Sequence, residues 1–247
     1  MENLISLKIK DTVLLYDSLT KLDGGAFGES QYVALKVQHL KKLRECNDQQ
    51  ISAELLRLFR EISCNQLHHP NIVKTFDSYF TYDGGFVMTS ELAQENLQSY
   101  VIRKGKGNIT LEEVAQIMSD VINALEYIHN YNIIHRDISP QNILVYDEKT
   151  FKICDFGIAT YGELTQIAGG KIDYIAPEIH QMTGEYDKMI DIWSLGVLLH
   201  FICTGESTFN GKPACIAKKE INQLLLPPQI TIKTQNNATK RIFPKFN

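Results

Sequence analysis

A chain of 247 residues can bury a sizeable core, as one large domain or as two lobes sharing a cleft. With 44% hydrophobic residues, 22% charged residues and a net charge of −4, it lacks the basic excess that nucleic acid or an anionic membrane would attract, and no apolar run reaches the roughly 18 residues of a membrane span. Five cysteines (46, 64, 154, 203 and 215) show no CxxC spacing or His/Cys clustering, which argues against a disulfide framework or zinc site and for a reduced intracellular protein, cytoplasmic or nuclear.

Along the chain, Met1 to Asp11 lacks the basic-then-apolar layout of a signal peptide. Apolar, β-branched runs then predict strands at 12–15, 32–37, 72–76 and 86–89. Between the second and third, residues 47–66 carry helix formers with Ile51, Leu55 and Leu58 at helical spacing. A junction falls near Glu91–Asn96, after which the pattern turns helical. Thr110 and Glu113 form a capping box ahead of a stripe of Leu111, Val114, Met118, Val121, Leu125 and Ile128. The stretch 190–203 is apolar on nearly every face and stops at Thr204-Gly205, as a buried core helix does. Strands followed by helices give an α+β class.

Three segments carry residues suited to chemistry. The cluster Asp23-Gly24-Gly25-Ala26-Phe27-Gly28 lies between two predicted strands, where glycines let backbone N–H groups approach a phosphate or simply make a hairpin turn. Lys36 ends an apolar strand, where a lysine would otherwise mark a solvated edge. Asp137 and Asn142 in one loop, and Asp155 in another, present three oxygen-bearing side chains. Two of the three suit magnesium, a hard cation that keeps several waters, and the third could accept a hydroxyl proton. Taken singly, each also fits an ordinary Asx turn.

These segments occur in an ordered set. It comprises DGGAFG at 23–28, VALK ending at Lys36, HPNIV at 69–73, HRDISPQN at 135–142, DFG at 155–157, APE at 176–178 and the aspartate Asp191 of an apolar helix. In that order and spacing the chain resembles the eukaryotic protein kinases over roughly residues 12–215. The resemblance implies a bilobal fold in a single domain of residues 1–247. Residues 1–93 would form a β-rich lobe and hinge, 94–215 a helical lobe, and 216–247 a divergent tail replacing the late helices.

The resemblance also implies ATP and Mg²⁺ as cofactors and a protein as substrate. Gly24, Gly25, Ala26, Phe27 and Gly28 would cradle phosphate, and Lys36 would hold the α- and β-phosphates while pairing with Glu61 or, failing that, Glu54. Ala34, Ser90, Glu91, Ala93 and Leu144 would surround the base, with Glu91–Ala93 as hinge and Asn96 near the ribose. Asn142 and Asp155 would hold the metal, and Asp137 would accept or orient the acceptor hydroxyl.

Departures from the family pattern bear on activity. Asp23 stands where the first loop glycine belongs, Ser30 replaces a valine over the base, and the turn between Gly28 and Lys36 is shortened. Serine/threonine kinases carry lysine two residues after the catalytic aspartate, whereas this chain has Ser139. Where they place threonine after a glycine it has Lys171, which could reach back to supply the missing charge. Arg136 beside Asp137 implies activation by an upstream kinase, with Thr165 the acceptor of choice ahead of Thr160 and Tyr161. Arg241 is the candidate partner for Glu178, Ser90 is a small residue guarding a back pocket, and Cys154 is either reactive or an inert buried thiol. Two functions follow as expectations. The first is ATP- and Mg²⁺-dependent phosphoryl transfer to protein Ser/Thr hydroxyls. The alternative is a pseudokinase that senses nucleotide or scaffolds a partner.

Overall fold

The computed structural model describes residues 5–9, 12–16, 33–39, 47–82, 85–162, 164–165, 169–180, 185–209 and 211. The cluster Gly24, Gly25, Ala26, Phe27 and Gly28, with Asp23, Ser30, the tail 216–247 and its Arg241, lies outside the described residues.

A five-stranded antiparallel sheet in the order β1-β2-β3-β5-β4 is built from Ile5–Ile9, Thr12–Tyr16, Val33–His39, Gly85–Glu91 and Thr75–Phe80, respectively. β1 was not expected, although Ile5, Leu7 and Ile9 alternate with polar residues as a strand does. The strand expected at 72–76 is displaced to Thr75–Phe80. Ile72 instead makes an isolated parallel bridge to Ile153, with the Val73 N–H donating to the Ile153 carbonyl (3.0 Å) and the Ile153 N–H donating to the Asn71 carbonyl (2.8 Å). Those backbone groups are spent on the far lobe, so they are not available to the sheet.

Helix α1, Asp48–Cys64, starts at an Asn47 capping box, with the Gln50 N–H donating to Asn47 Oδ1 (2.9 Å) and the Asn47 N–H to Gln50 Oε1 (3.0 Å). Beyond the strand pair β6 (Glu95–Asn96) come α2 (Leu97–Lys104) and α3 (Leu111–Asn130), the latter opened by the expected Thr110–Glu113 box. α3 buries Val114, Ile117, Met118, Val121, Leu125 and Ile128, while Leu111 stays half-buried. After β7 (Ile133–Ile134), a hairpin of β8 (Ile143–Val145) and β9 (Phe151–Ile153) pairs with β6, and β10 (Thr160–Tyr161) returns to β7.

After the short α4 (Pro177–His180), α5 (Met189–Thr204) runs through the core and stops where Gly205 takes φ +70°. Leu198 and Ile202 of α5 are fully buried against α3 residues such as Leu125, burial that stabilises by about 1.5–3 kcal/mol per side chain. This core carries the loops of the site on β7, β8, β9 and α5. No described helix is long and apolar enough to cross a membrane.

Candidate active site

The loop after β7 is held from below by one carboxylate. Asp191, fully buried on α5, accepts the backbone N–H of His135 (2.9 Å) at Oδ2 and that of Arg136 (2.8 Å) at Oδ1. His129 Nε2 from α3 also bonds Oδ2 at 2.8 Å. Three hydrogen bonds to one anion offset its burial and hold Arg136 at φ +70°, a left-handed conformation that arginine rarely adopts.

Asp137 and Asn142 close the loop on each other. Asn142 Nδ2 donates to the Asp137 carbonyl oxygen (2.9 Å) and to Asp137 Oδ2 (2.7 Å). With both amide hydrogens engaged, the Asn142 side-chain oxygen is the atom left for a cation. Asp137 Oδ2 also accepts Lys171 Nζ at 3.1 Å, and Lys171 donates to Ser139 Oγ at 2.7 Å. Asp137 Oδ1 is buried and has no hydrogen-bond partner among the described residues. A buried carboxylate oxygen is costly to leave unpaired.

Across the cleft, Lys36 Nζ bonds Glu61 Oε1 at 2.8 Å and lies 3.6 Å from Asp155 Oδ1. Glu61 is 3% exposed whereas Glu54 is exposed, so the ion pair falls to Glu61. Burial favours the neutral amine of Lys36, but Asp155 and Glu61 outweigh it and raise its pKa above the ordinary lysine value. Burial likewise favours a protonated Asp155, yet Lys36 and Arg57 hold its pKa down at about 2. Arg57, whose guanidinium lies 3.8 Å from Asp155 Oδ2, was missed in the sequence because an arginine on α1 reads as a solvated face. Asp155 itself takes φ +63° and accepts the Gly157 N–H (3.3 Å). A Cβ at Gly157 would stand 2.6 Å from Glu61 Oε1, so any larger residue would have to displace the Glu61 carboxylate or the Arg57 side chain.

A cavity of about 480 Å³ lies between the sheet and the helical core. Ala34, Lys36, Glu61, Ser90, Glu91, Ala93, Asn96, Asn142, Leu144 and Asp155 all line it. Ala34 and Leu144 supply its apolar lining from β3 and β8. The Ala93 backbone makes no hydrogen bond among the described residues, which leaves an N–H and a carbonyl for the edge of a planar ligand. Glu91 enters differently from the expectation. Its side chain accepts the Lys74 N–H (2.7 Å) and pairs with Lys152 (2.8 Å), and its carbonyl oxygen receives the Tyr146 hydroxyl at 3.4 Å. Asn96 caps α2 through the Ser99 N–H (2.9 Å), which keeps its Nδ2 for other contacts. Behind Ser90 the cavity reaches Cys64 and Asn65, neither of which the sequence singled out as ligand-facing. Burial pushes the Cys154 thiol up to about 12, which favours the inert reading.

The donor set fits magnesium and a polyphosphate. Asp155 and the free oxygen of Asn142 are two hard ligands, too few to hold the ion without phosphate oxygens and water, and Lys36 offers a fixed cation. A family model described as the protein kinase domain matches residues 24–246. The chain belongs to the protein kinase family. The match runs past residue 215, where the sequence had set the end of the resemblance. The chain is 30% identical over 242 residues to a carbon catabolite-derepressing protein kinase of Candida tropicalis, with 92% of this chain and 38% of that protein aligned. It is 31% identical over 222 residues to calcium-dependent protein kinase 5 of Plasmodium berghei, with 83% of this chain and 38% of that protein covered. To mitogen-activated protein kinase mpkC of Aspergillus oryzae it is 30% identical over 246 residues, covering 94% of this chain and 68% of that protein. The chain thus spans about two fifths of the length of the first relatives it matches.

In this kinase domain the segment from Asp155 to Glu178 departs from expectation at Thr165. That residue is 6% exposed and bridged to Tyr186 by two backbone hydrogen bonds (2.7 and 2.8 Å), so its hydroxyl is covered in this conformation. Tyr161 is 82% exposed and Thr160 half-buried. Arg136 Nη1 donates to the Ile158 carbonyl (2.8 Å) and so joins the catalytic loop to the segment. Glu178 is half-buried in α4 and makes no ion pair among the described residues.

Proposed function

We propose that this chain catalyses ATP- and Mg²⁺-dependent phosphoryl transfer to serine or threonine hydroxyls of proteins. The observation that carries the reading is the convergence of Lys36, Asn142 and Asp155 on one cavity, with the Asp137 carboxylate hydrogen-bonded to Asn142 and its Oδ1 left without a partner among the described residues. When bound, ATP supplies the transferable phosphoryl group and magnesium the counter-charge. Lys36, fixed by Glu61, would neutralise the α- and β-phosphates. Asn142 and Asp155 would hold the metal, and Asp137 would orient the acceptor hydroxyl and take its proton at Oδ1. The Ala93 backbone, with Ala34 and Leu144 lining the same cavity, suits an adenine. An upstream kinase acting on Thr165 would have to reach an opened form of the segment. A relative from Clostridium perfringens, 34% identical over 209 residues, is named a probable serine/threonine-protein kinase, which supports the choice of acceptor.

The test is transfer of labelled phosphate from ATP/Mg²⁺ into the chain itself and a generic basic protein. Transfer by the wild type that Asp155→Ala abolishes is the expected result. Well-folded protein that transfers nothing, yet gains thermal stability with ATP irrespective of metal, would point to a nucleotide-sensing pseudokinase instead.

A further inference from the structure

We propose that Lys171 is the cation that meets the transferred phosphoryl group, delivered from the segment after Asp155 and not from the catalytic loop. The inference rests on the phosphotransfer reading above. Its ammonium bonds the same carboxylate that would receive the acceptor hydroxyl, 3.1 Å from Asp137 Oδ2, while Oδ1 has no partner among the described residues. A hydroxyl hydrogen-bonded to Oδ1 sits about 2.7 Å from it, so the phosphorus that bonds to that hydroxyl comes within reach of an ammonium on the same group.

The loop's own second position after Asp137 cannot supply this charge. It is Ser139, fully buried, and its hydroxyl serves to position the Lys171 ammonium at 2.7 Å. The two residues therefore act as one unit in which the cation sits on the segment and the neutral hydroxyl on the loop.

The backbone is shaped for this delivery. Gly170 has φ +105°, and a Cβ there would lie 2.6 Å from the Arg136 carbonyl oxygen. A Cβ at Gly169 would lie 2.8 Å from the Arg136 guanidinium. Two consecutive glycines let the segment pass against the catalytic loop so that Lys171 arrives over Asp137. The Lys171 side chain is 36% exposed and so is not sealed in its contact with Asp137.

In the transfer step the acceptor oxygen bonds to the γ-phosphorus as the bond from that phosphorus to the bridging oxygen breaks. The electron pair leaves on ADP, and the hydroxyl proton passes to Asp137. Lys171 keeps its protons and offsets charge on the equatorial oxygens. Because that cation rides on the segment, displacing the segment removes a catalytic charge directly.

The experiment compares wild type, Lys171→Met, Ser139→Lys, the exchange Ser139→Lys/Lys171→Thr, and Asp137→Asn, all checked for folding by thermal unfolding. Lys171→Met should lower kcat about 10²-fold or more, with KM for ATP less affected. Ser139→Lys alone sets two ammonium groups at one carboxylate and should not exceed wild type. The double exchange should recover to within about tenfold, since the charge returns from the other position; a lysine that merely anchors the segment would not be rescued this way. Calorimetric titration with ATP and ADP, each with Mg²⁺, gives a readout without turnover: Lys171→Met should lower the ATP-over-ADP preference about tenfold. An unchanged preference overturns the inference whatever the transfer assay gives. Full activity in Lys171→Met beside an inactive Asp137→Asn also overturns it and leaves the kinase reading intact. A lost preference in a chain that transfers no phosphate would uphold the Lys171 contact and sink the transfer reading.

Discussion

Asp155 sits between two cations, and its titration should be visible in stability. Its pKa in the folded chain, about 2, lies below the unfolded value of roughly 3.9. The folded state therefore holds fewer protons at this site between those values. Its contribution is complete above the unfolded value and is lost as pH falls through the folded one. Chemical denaturation at stepped pH should show the gap between wild type and Asp155→Asn narrowing from about pH 4 to pH 2. A gap that stays flat across that window would mean Lys36 and Arg57 do not act on the carboxylate. Cys154 is the companion case. With its thiol raised to about 12, alkylation by iodoacetamide at neutral pH should run well below the rate of a free cysteine, read by mass spectrometry.

At the scale of elements, caps and turns make sharper predictions than strands. Thr110→Ala removes the acceptor for the Glu113 N–H (3.2 Å) and should destabilise by about 1 kcal/mol in urea unfolding. Gly205→Ala should cost at least about 1 kcal/mol, because its φ is +70° and a Cβ would meet Lys106 Cα at 3.0 Å. These boundaries were legible because the chemistry is local: Asn47, Thr110 and Gly205 act on backbone groups within a turn of themselves. The strand expected at 72–76 was not legible, since Ile72 and Val73 find their partners on β9, far along the chain. Glu61 and Glu54 could not be separated by periodicity either. Seven residues span nearly two turns, so both point to almost the same side of α1, and the tertiary structure decides that Glu61 is covered, where it meets Lys36 of β3.

For the whole molecule, the sequence located Asp137, Asn142 and Asp155 because their motifs are contiguous, and the family pattern suggested that Lys171 reaches back, a contact that brings together positions 32 and 34 residues apart. Arg57, by contrast, was invisible: nothing near it in sequence announces Asp155. Nucleotide binding should also act globally. Stabilisation by ATP should rise when Mg²⁺ is added and lose that dependence in Asp155→Ala, as read by the thermal midpoint. Asn142→Ala should weaken the metal effect in the same direction, since it would remove the second oxygen ligand proposed for the metal.

Asp191 ties the reactive loop to the least yielding part of the fold. Its helix buries Leu198 and Ile202 against α3, and the carboxylate engages the His135 and Arg136 amides. Those two amide protons should therefore exchange with deuterium only when the helical core itself opens, far more slowly than surface loop amides. Asp191→Asn, which turns an N–H toward an N–H, should speed their exchange and lower global stability by about 3 kcal/mol. The part of the molecule that touches substrate would then wear out at the same rate as its foundation.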